Sequence, residues 1–287
     1  MAGAVEDHLR SLAGDWQYPE DTVDTFKAGS RESEVHGIAV AWLPFTWALE
    51  RAIELNCSLF VTHEPTYYDH HDTRAELFDL SIPRHRRELL EQSGMAVLRC
   101  HDLWDRHPEG GITAAWGEDL GLTDLVASGE YARVYRVDPT PARRFAEHVA
   151  AVTARRGQQG LRLIGDADRI VESVCIGTGA ISPYLDLVRD FDPDLVICSD
   201  DGMDYWRDGA FAVDGGPPIV VVHHGVTEEP GVARLAKELA EAFPQVPVHH
   251  IEQDAMYEFI PSPRGDADPV REKADGRSGE TREGREQ

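Results

Sequence analysis

Short, unbroken apolar runs recur along the chain, and several end abruptly in imidazole or carboxylate side chains. GIAVAW at 37–42 leads to a helical stretch, TWALERAIELN at 46–56, and then to the apolar run SLFVTHEP at 58–65. A second helix is predicted at roughly 83–94, PRHRRELLEQSG, closed by Gly94 as a C-terminal cap, followed by the strand MAVLRCHD at 95–102. The pattern then repeats. SVCIGTG at 173–179 leads to helical YLDLVRDFD, to the strand DLVICSDDG at 194–202, and to a final run PIVVVHHG at 218–225. A last helix, GVARLAKELAEAF at 231–243, is predicted to start just after Pro230, with VPVHHIE at 246–252 as a further strand.

Continuous apolar runs alternating with helices suit strands of a sheet covered on both faces. The expected fold is therefore α/β. LFVTHE stands against LVICSD and VLRCHD against VVVHHG, which predicts two related α/β lobes from an internal duplication, with a metal site in the cleft between them. The expected organisation is a first lobe over residues 1–116, a linking or inserted βα segment over 117–168, and a second lobe over 169–260. Residues 261–287 are rich in Gly, Pro, Arg, Asp and Glu with almost nothing apolar after Val270, and read as a disordered tail.

In open α/β sheets ligands gather beyond the carboxyl ends of the strands, where these runs turn polar. Three clusters stand there: Thr62-His63-Glu64-Pro65, His101 with Asp102 and Asp105, and His224 with Thr227 and Glu228. Any one histidine at a strand end is more often a surface or hydrogen-bonded residue than a ligand. Three such clusters at matching strand ends make a stronger case. Mixed imidazole and carboxylate ligation suits zinc, iron, manganese, cobalt or nickel and disfavours copper(I). Two ions about 3.5–4 Å apart can stabilise both the attacking and the leaving oxygen of a hydrolysis, so a bridging carboxylate is expected, with Asp105 as the candidate. His70 and His71 read as a solvated loop, and neither His249 nor His250 reads as a ligand. His223 should point to the side of its strand opposite His224. IGTGA at 176–180 can cradle an anion but reads better as a tight strand-to-helix turn.

Charge and composition narrow the partners. Of 287 residues, 52 are acidic and 28 basic, and the net charge of -24 opposes binding to a phosphate backbone, so no nucleic-acid partner is expected. No apolar stretch has the length of a membrane span, and the acidic start lacks the pattern of a signal peptide, so a cytoplasmic protein without a membrane partner is expected. Cys57, Cys100, Cys175 and Cys198 lie far apart inside apolar runs, which suits reduced core thiols.

From VDTFKAGSRESEVHGIAVAW through THEP and HDLWD to HHGVTEEPG, the chain resembles the Nif-three-like dinuclear metal-centre proteins, which also carry the label GTP cyclohydrolase I type-2-like. The first motif of that family is a histidine pair followed by proline. Here it reads His63-Glu64-Pro65, one imidazole having become a carboxylate. The second motif is matched by His101 and Asp105, and the third by His224, Thr227 and Glu228. The resemblance implies two divalent metal ions per chain (zinc, iron or manganese) held by His63, Glu64, Asp105, His224 and Glu228, and a ring-shaped homohexamer with the sites facing an inner cavity. The expected activity is a metal-dependent hydrolase of a small molecule, with Glu228 or an uncoordinated His101 moving the proton. The alternative is a non-enzymatic metal-binding scaffold, chaperone or sensor. A triphosphate substrate would need positive groups near the site, and Arg74, Arg99 and Arg106 are the candidates in sequence.

Overall fold

The computed structural model describes residues 1–177, 179–180 and 182–260; the predicted tail at 261–287 lies outside them. The chain enters through α1 (Ala2–Ser11), β1 (Phe26–Ala28) and β2 (Ile38–Ala41). It continues through α2 (Thr46–Glu54), β3 (Leu59–Thr62), α3 (Ser81–Ser93) and β4 (Ala96–Arg99). Gly94 closes α3 with φ 68°, the left-handed conformation its place after the helix predicts. Two short helices, α4 (Asp102–Arg106) and α5 (Ile112–Asp119), precede β5 (Asp124–Ser128), β6 (Ala132–Pro141), α6 (Ala142–Thr153) and β7 (Arg162–Ile164). The remainder is β8 (Ile170–Gly177), α7 (Tyr184–Phe191), β9 (Leu195–Ser199), α8 (Ala210–Val213), β10 (Ile219–Val222), α9 (His224–Ala242) and β11 (Val248–His250).

The strands form two sheets, in the orders β1-β4-β3-β2-β11 and β5-β6-β8-β9-β10-β7. Each sheet contains three sequential parallel strands, β2-β3-β4 in one and β8-β9-β10 in the other. In each, an earlier strand pairs antiparallel with the last of the three, β1 with β4 and β7 with β10. These four-strand cores thus share strand order, direction and edge pairing. The segment 117–168 contributes β5, β6 and β7 to the second sheet, while β11 crosses back to pair parallel with β2 in the first.

Successive residues on a strand face opposite sides, so a run that is apolar throughout needs cover on both faces. In the first sheet, Ile38, Val40, Leu59 and Val61 join a core with α1 and α9, while Ala39, Phe60 and Val97 join another with α2 and α3. The second sheet repeats this. Val174, Leu195 and Val220 pack with α6, and Cys175, Val196 and Ile219 with α7 and Ala212 of α8. All four cysteines are free and buried, and desolvation pushes the Cys57 thiol up to about 11 and the Cys175 thiol to about 12. They are inert core residues.

One helix ties the halves together. Helix α9 leaves the carboxyl end of β10 in the second sheet, yet buries Val232, Leu235 and Leu239 in the core of the first. It begins at His224, not after Pro230 as the sequence predicts, and carries Pro230 within it. The side chain of His223 accepts the Val226 N–H at the helix start, and burial of Val226, Val232, Leu235 and Leu239 along the helix offsets what the proline costs. His223 therefore serves as a buried cap beside Trp42.

Candidate metal centre

The register of the sheets builds the site. Thr62 and Arg99 end β3 and β4 in register, as Ser199 and Val222 end β9 and β10. Two residues beyond each of these strand ends stand Glu64, His101, Asp201 and His224. His63 precedes Glu64. Asp105 and Glu228 each lie one helical turn after their histidine, so the i and i+4 side chains of α4's start and of α9 point the same way.

All six residues singled out from the sequence come together and are buried or nearly so. His63 Nε2 lies 3.4 Å from Asp105 Oδ1 and 3.4 Å from Glu228 Oε2. His224 Nε2 lies 3.0 Å from Glu228 Oε1 and 3.2 Å from Glu64 Oε1. His101 Nε2 is 3.6 Å from Asp105 Oδ2, and its ring stacks on that of His63 at 4.7 Å between centroids. The donor atoms form three overlapping triads, each within 4.8 Å: His63, Asp105 and Glu228; Glu64, His224 and Glu228; and His63, Glu64 and His101. Glu228 stands between His63 and His224 and is shared by two of these triads, as are His63 and Glu64.

The three imidazoles are oriented alike. The Nδ1 of His63 meets the Cys100 carbonyl at 3.1 Å, that of His101 meets Asp102 at 3.0 Å, and that of His224 meets Asp201 at 2.8 Å. A carbonyl or carboxylate only accepts, so each Nδ1 carries the hydrogen and each Nε2 presents its lone pair to the cluster. The carboxylates are held too. Trp42 Nε1 donates to Glu228 Oε2 at 2.7 Å, and the buried Arg99 donates to Glu64 Oε2 at 3.3 Å and to the His63 carbonyl at 2.9 Å. Asp24 accepts the backbone N–H groups of His101, Asp102 and Leu103, fixing the turn that carries His101.

Three atoms of this cluster, His63 Nε2, Asp105 Oδ1 and His224 Nε2, are buried with no well-aligned hydrogen bond, facing one another, Glu64 and Glu228 only as ion pairs at 3.0–3.4 Å. Buried polar atoms seldom go without a hydrogen bond, and three converging on one point fit a bound cation. The electrostatics agree. Burial alone would lower the His63 pKa, but the Glu228 and Asp105 carboxylates hold it up at about 9. His224 is raised well above its usual value for the same reason, Glu228 outweighing burial. Burial would raise Glu64, yet His224, His101 and His63 hold it well below the usual carboxylate range. The cluster calls for positive charge, which protons on the imidazoles or divalent ions can supply.

A cavity of about 250 Å³ opens on the cluster, lined by His70, His101, Gly179, Asp201 and His224 among others. Gly179, in the IGTGA segment, has φ 55°, and a β-carbon there would stand 2.6 Å from His224 Nε2 and 2.7 Å from Glu228 Oε1. Gly179 is thus packed closely against the site. His70 reaches the cavity wall from its loop, whereas His250 pairs with the buried Glu229 at 2.8 Å, away from the cluster. Trp42, Arg99 and Asp201 are supporting residues that the sequence reading did not assign to the cluster. Asp201 carries a signal, standing at the strand end equivalent to His63-Glu64, and Arg99 enters the sequence reading as a positive group near the site, but for a triphosphate.

A family model described as Duf34/NIF3 (NGG1p interacting factor 3) matches residues 12–256. No curated protein matches the chain. Among solved structures, the fold is similar to a Bacillus cereus protein related to NIF3, at 15% identity and a TM-score of 0.71 over 91% of this chain and 98% of that one. It is similar also to the Staphylococcus aureus protein SA1388, at 13% identity and a TM-score of 0.74 over 90% of this chain and 99% of that one. A third similar structure, reduced HcgD from Methanocaldococcus jannaschii, aligns at 13% identity with a TM-score of 0.67, covering 88% and 97% of the two chains.

Proposed function

Because this chain belongs to the Duf34/NIF3 family, matched over residues 12–256, we propose that the buried cluster is a dinuclear divalent-metal centre that hydrolyses a small molecule. The observation that carries this reading is the convergence of buried imidazole and carboxylate donors into three overlapping triads, with His63 Nε2, Asp105 Oδ1 and His224 Nε2 in no well-aligned hydrogen bond. One ion would be held by His63, Asp105 and Glu228 and the other by Glu64, His224 and Glu228, with Glu228 shared. When bound, such ions supply Lewis acidity and acidify water.

The protein's own residues do the rest. Trp42 and Arg99 fix the carboxylates Glu228 and Glu64 and so fix where charge is held. Asp102, itself bound by the Thr22 hydroxyl at 2.7 Å, keeps His101 Nδ1 protonated and turns its Nε2 toward the cavity. Left out of the ligand set, His101 Nε2 carries the proton from the attacking water to the leaving group. The cavity against the cluster gives a substrate access, which favours a hydrolase over a closed scaffold or chaperone site.

The test is hydrolysis of 4-nitrophenyl phosphate, bis(4-nitrophenyl) phosphate and 4-nitrophenyl acetate by protein loaded with zinc, iron(II) or manganese. Turnover should need metal, vanish in Glu228→Ala, and fall about 100-fold in His101→Gln with metal content retained. Turnover unchanged by either substitution would refute the assignment; full metal loading with no turnover of any ester would favour the scaffold.

A further inference from the structure

A second, larger cavity of about 780 Å³ adjoins the cluster and shares Glu64, Asp201 and His224 with it. Its walls are aromatic. Tyr68, Tyr257 and Phe259 line it, yet stay 49%, 37% and 39% exposed, so their rings keep area free for a ligand. They are also held in place. Arg86 donates to the Tyr68 hydroxyl at 2.7 Å and lies over that ring, while Tyr257 sits edge-on between His223 at 5.1 Å and Phe259 at 5.5 Å. Rigid, pre-placed rings around a pocket of this size are what a flat ligand stacks on.

The polar groups are few and mostly committed. Glu64 faces Arg99 and His224, and Asp201 is bound by His224 and by the Ser199 hydroxyl at 2.9 Å. Asp200 accepts the His224 N–H at 3.1 Å and also faces the Tyr257 hydroxyl, and the remaining lone pairs of its carboxylate give the cavity it lines an acceptor. Burial, then the neighbouring Asp200, pushes the Tyr257 phenol up to about 12, so it stays a neutral donor. Among the described residues Arg162 is the single guanidinium in the lining, and it lies over the Tyr205 ring at 5.0 Å. The sequence candidates for triphosphate binding are spent elsewhere. Arg99 is consumed by Glu64 and by the His63 and His70 carbonyls, Arg106 by Glu130, and Arg74 by Glu76.

We infer that this cavity is the recognition chamber of the centre, and that it takes a planar aromatic or heteroaromatic ligand whose N–H edge bonds Asp200 and whose opposite edge presents one acceptor to Arg162, not a triphosphate. The inference rests on the reading of the cluster as a hydrolytic metal centre, because that supplies the reaction performed on the ligand's near end. Apart from the proposed metal ligands Glu64 and His224, the described lining offers one arginine beside the carboxylates Asp200 and Asp201, which gives a polyphosphate chain little to bind and suits a flat, weakly charged nitrogen compound.

The probes are benzamidine, whose amidinium supplies the N–H edge, its neutral analogue benzamide as the control for charge, and inorganic tripolyphosphate. They are measured by calorimetry on the full metal-bearing chain with metal content read from the same samples, so that chelation by tripolyphosphate is separated from binding. Benzamidine should bind at one site. Its Kd should rise about tenfold in Asp200→Asn, which loses the charge but keeps an acceptor for the His224 N–H, and similarly in Tyr257→Ala but not in Tyr257→Phe. Tripolyphosphate should neither bind comparably nor displace it. Comparable tripolyphosphate affinity, absent benzamidine binding, or binding indifferent to both Asp200→Asn and Tyr257→Ala would overturn the inference. The two readings fail separately: benzamidine bound with the expected pattern to a protein without metal removes the centre and keeps the chamber, whereas full metal with no benzamidine site removes the chamber alone.

Discussion

The residues of the cluster differ in what they can do despite their similar chemistry. Asp105 ends in a buried oxygen with no well-aligned hydrogen bond, while His101 has Nδ1 tied to Asp102 and its Nε2 3.6 Å from Asp105. Asp105→Ala should therefore lose more bound metal than His101→Ala, and equal loss in elemental analysis would remove the distinction between ligand and proton carrier. The pKa shifts carry a second expectation. In metal-free protein His63 is held up at about 9 from 6.5, so the stability it contributes is fully present below 6.5 and is lost as pH rises toward 9. Glu64 is depressed from 4.5, so its contribution is present above that value and lost as pH falls toward its lower folded pKa. Urea denaturation of chelator-treated protein should accordingly give a maximum between these limits and a decline from pH 6.5 to 9. Metal should abolish the alkaline decline, since an ion replaces the imidazole protons. A metal-free protein equally stable at both pH values would contradict this balance of charge.

At the scale of elements, the strand ends were legible because burial on both faces leaves runs such as LFVT and IVVV no choice of pattern, and the break to His, Glu or Asp marks where the sheet stops. The residues one to six positions past those breaks supplied the cluster. Helix α9 was legible only in part, since Pro230 signals a helix start and the capping by His223 depends on a ring orientation that sequence does not carry. Trp42, Arg99 and Asp24 were out of reach for another reason: their partners lie 186, 35 and 77 residues away in the chain, and no local pattern encodes such pairs. The same helix yields a test of packing. A β-carbon on Gly225 would stand 2.7 Å from the Trp42 ring, the ring whose Nε1 holds Glu228. Gly225→Ala should cost about 1–3 kcal/mol in thermal or urea unfolding, as overpacked cores do, and should loosen metal as Trp42 is displaced. An unfolding midpoint and metal content equal to wild type would mean that α9 can shift without disturbing the site.

Across the whole molecule, the cluster draws on both sheets. His63, Glu64, His101 and Asp105 follow strands of the first, and His224 and Glu228 follow β10 of the second. Neither sheet alone supplies a full triad containing Glu228, so closing the site requires α9 to cross from one core to the other. Among the described residues no helix is long and apolar enough to cross a membrane, and the net charge of -24 leaves the acidic cluster in an acidic protein, a setting that attracts divalent cations and repels polyphosphates. The central proposal is that five side chains from two sheets, His63, Glu64, Asp105, His224 and Glu228, hold a pair of divalent ions despite a glutamate at position 64. Elemental analysis of protein purified without added metal, beside Glu64→Ala and His224→Ala, tests it most directly. The expected result is about two ions per chain in the wild type, falling in both variants; one ion or none, unaffected by Glu64→Ala, would contradict the dinuclear centre.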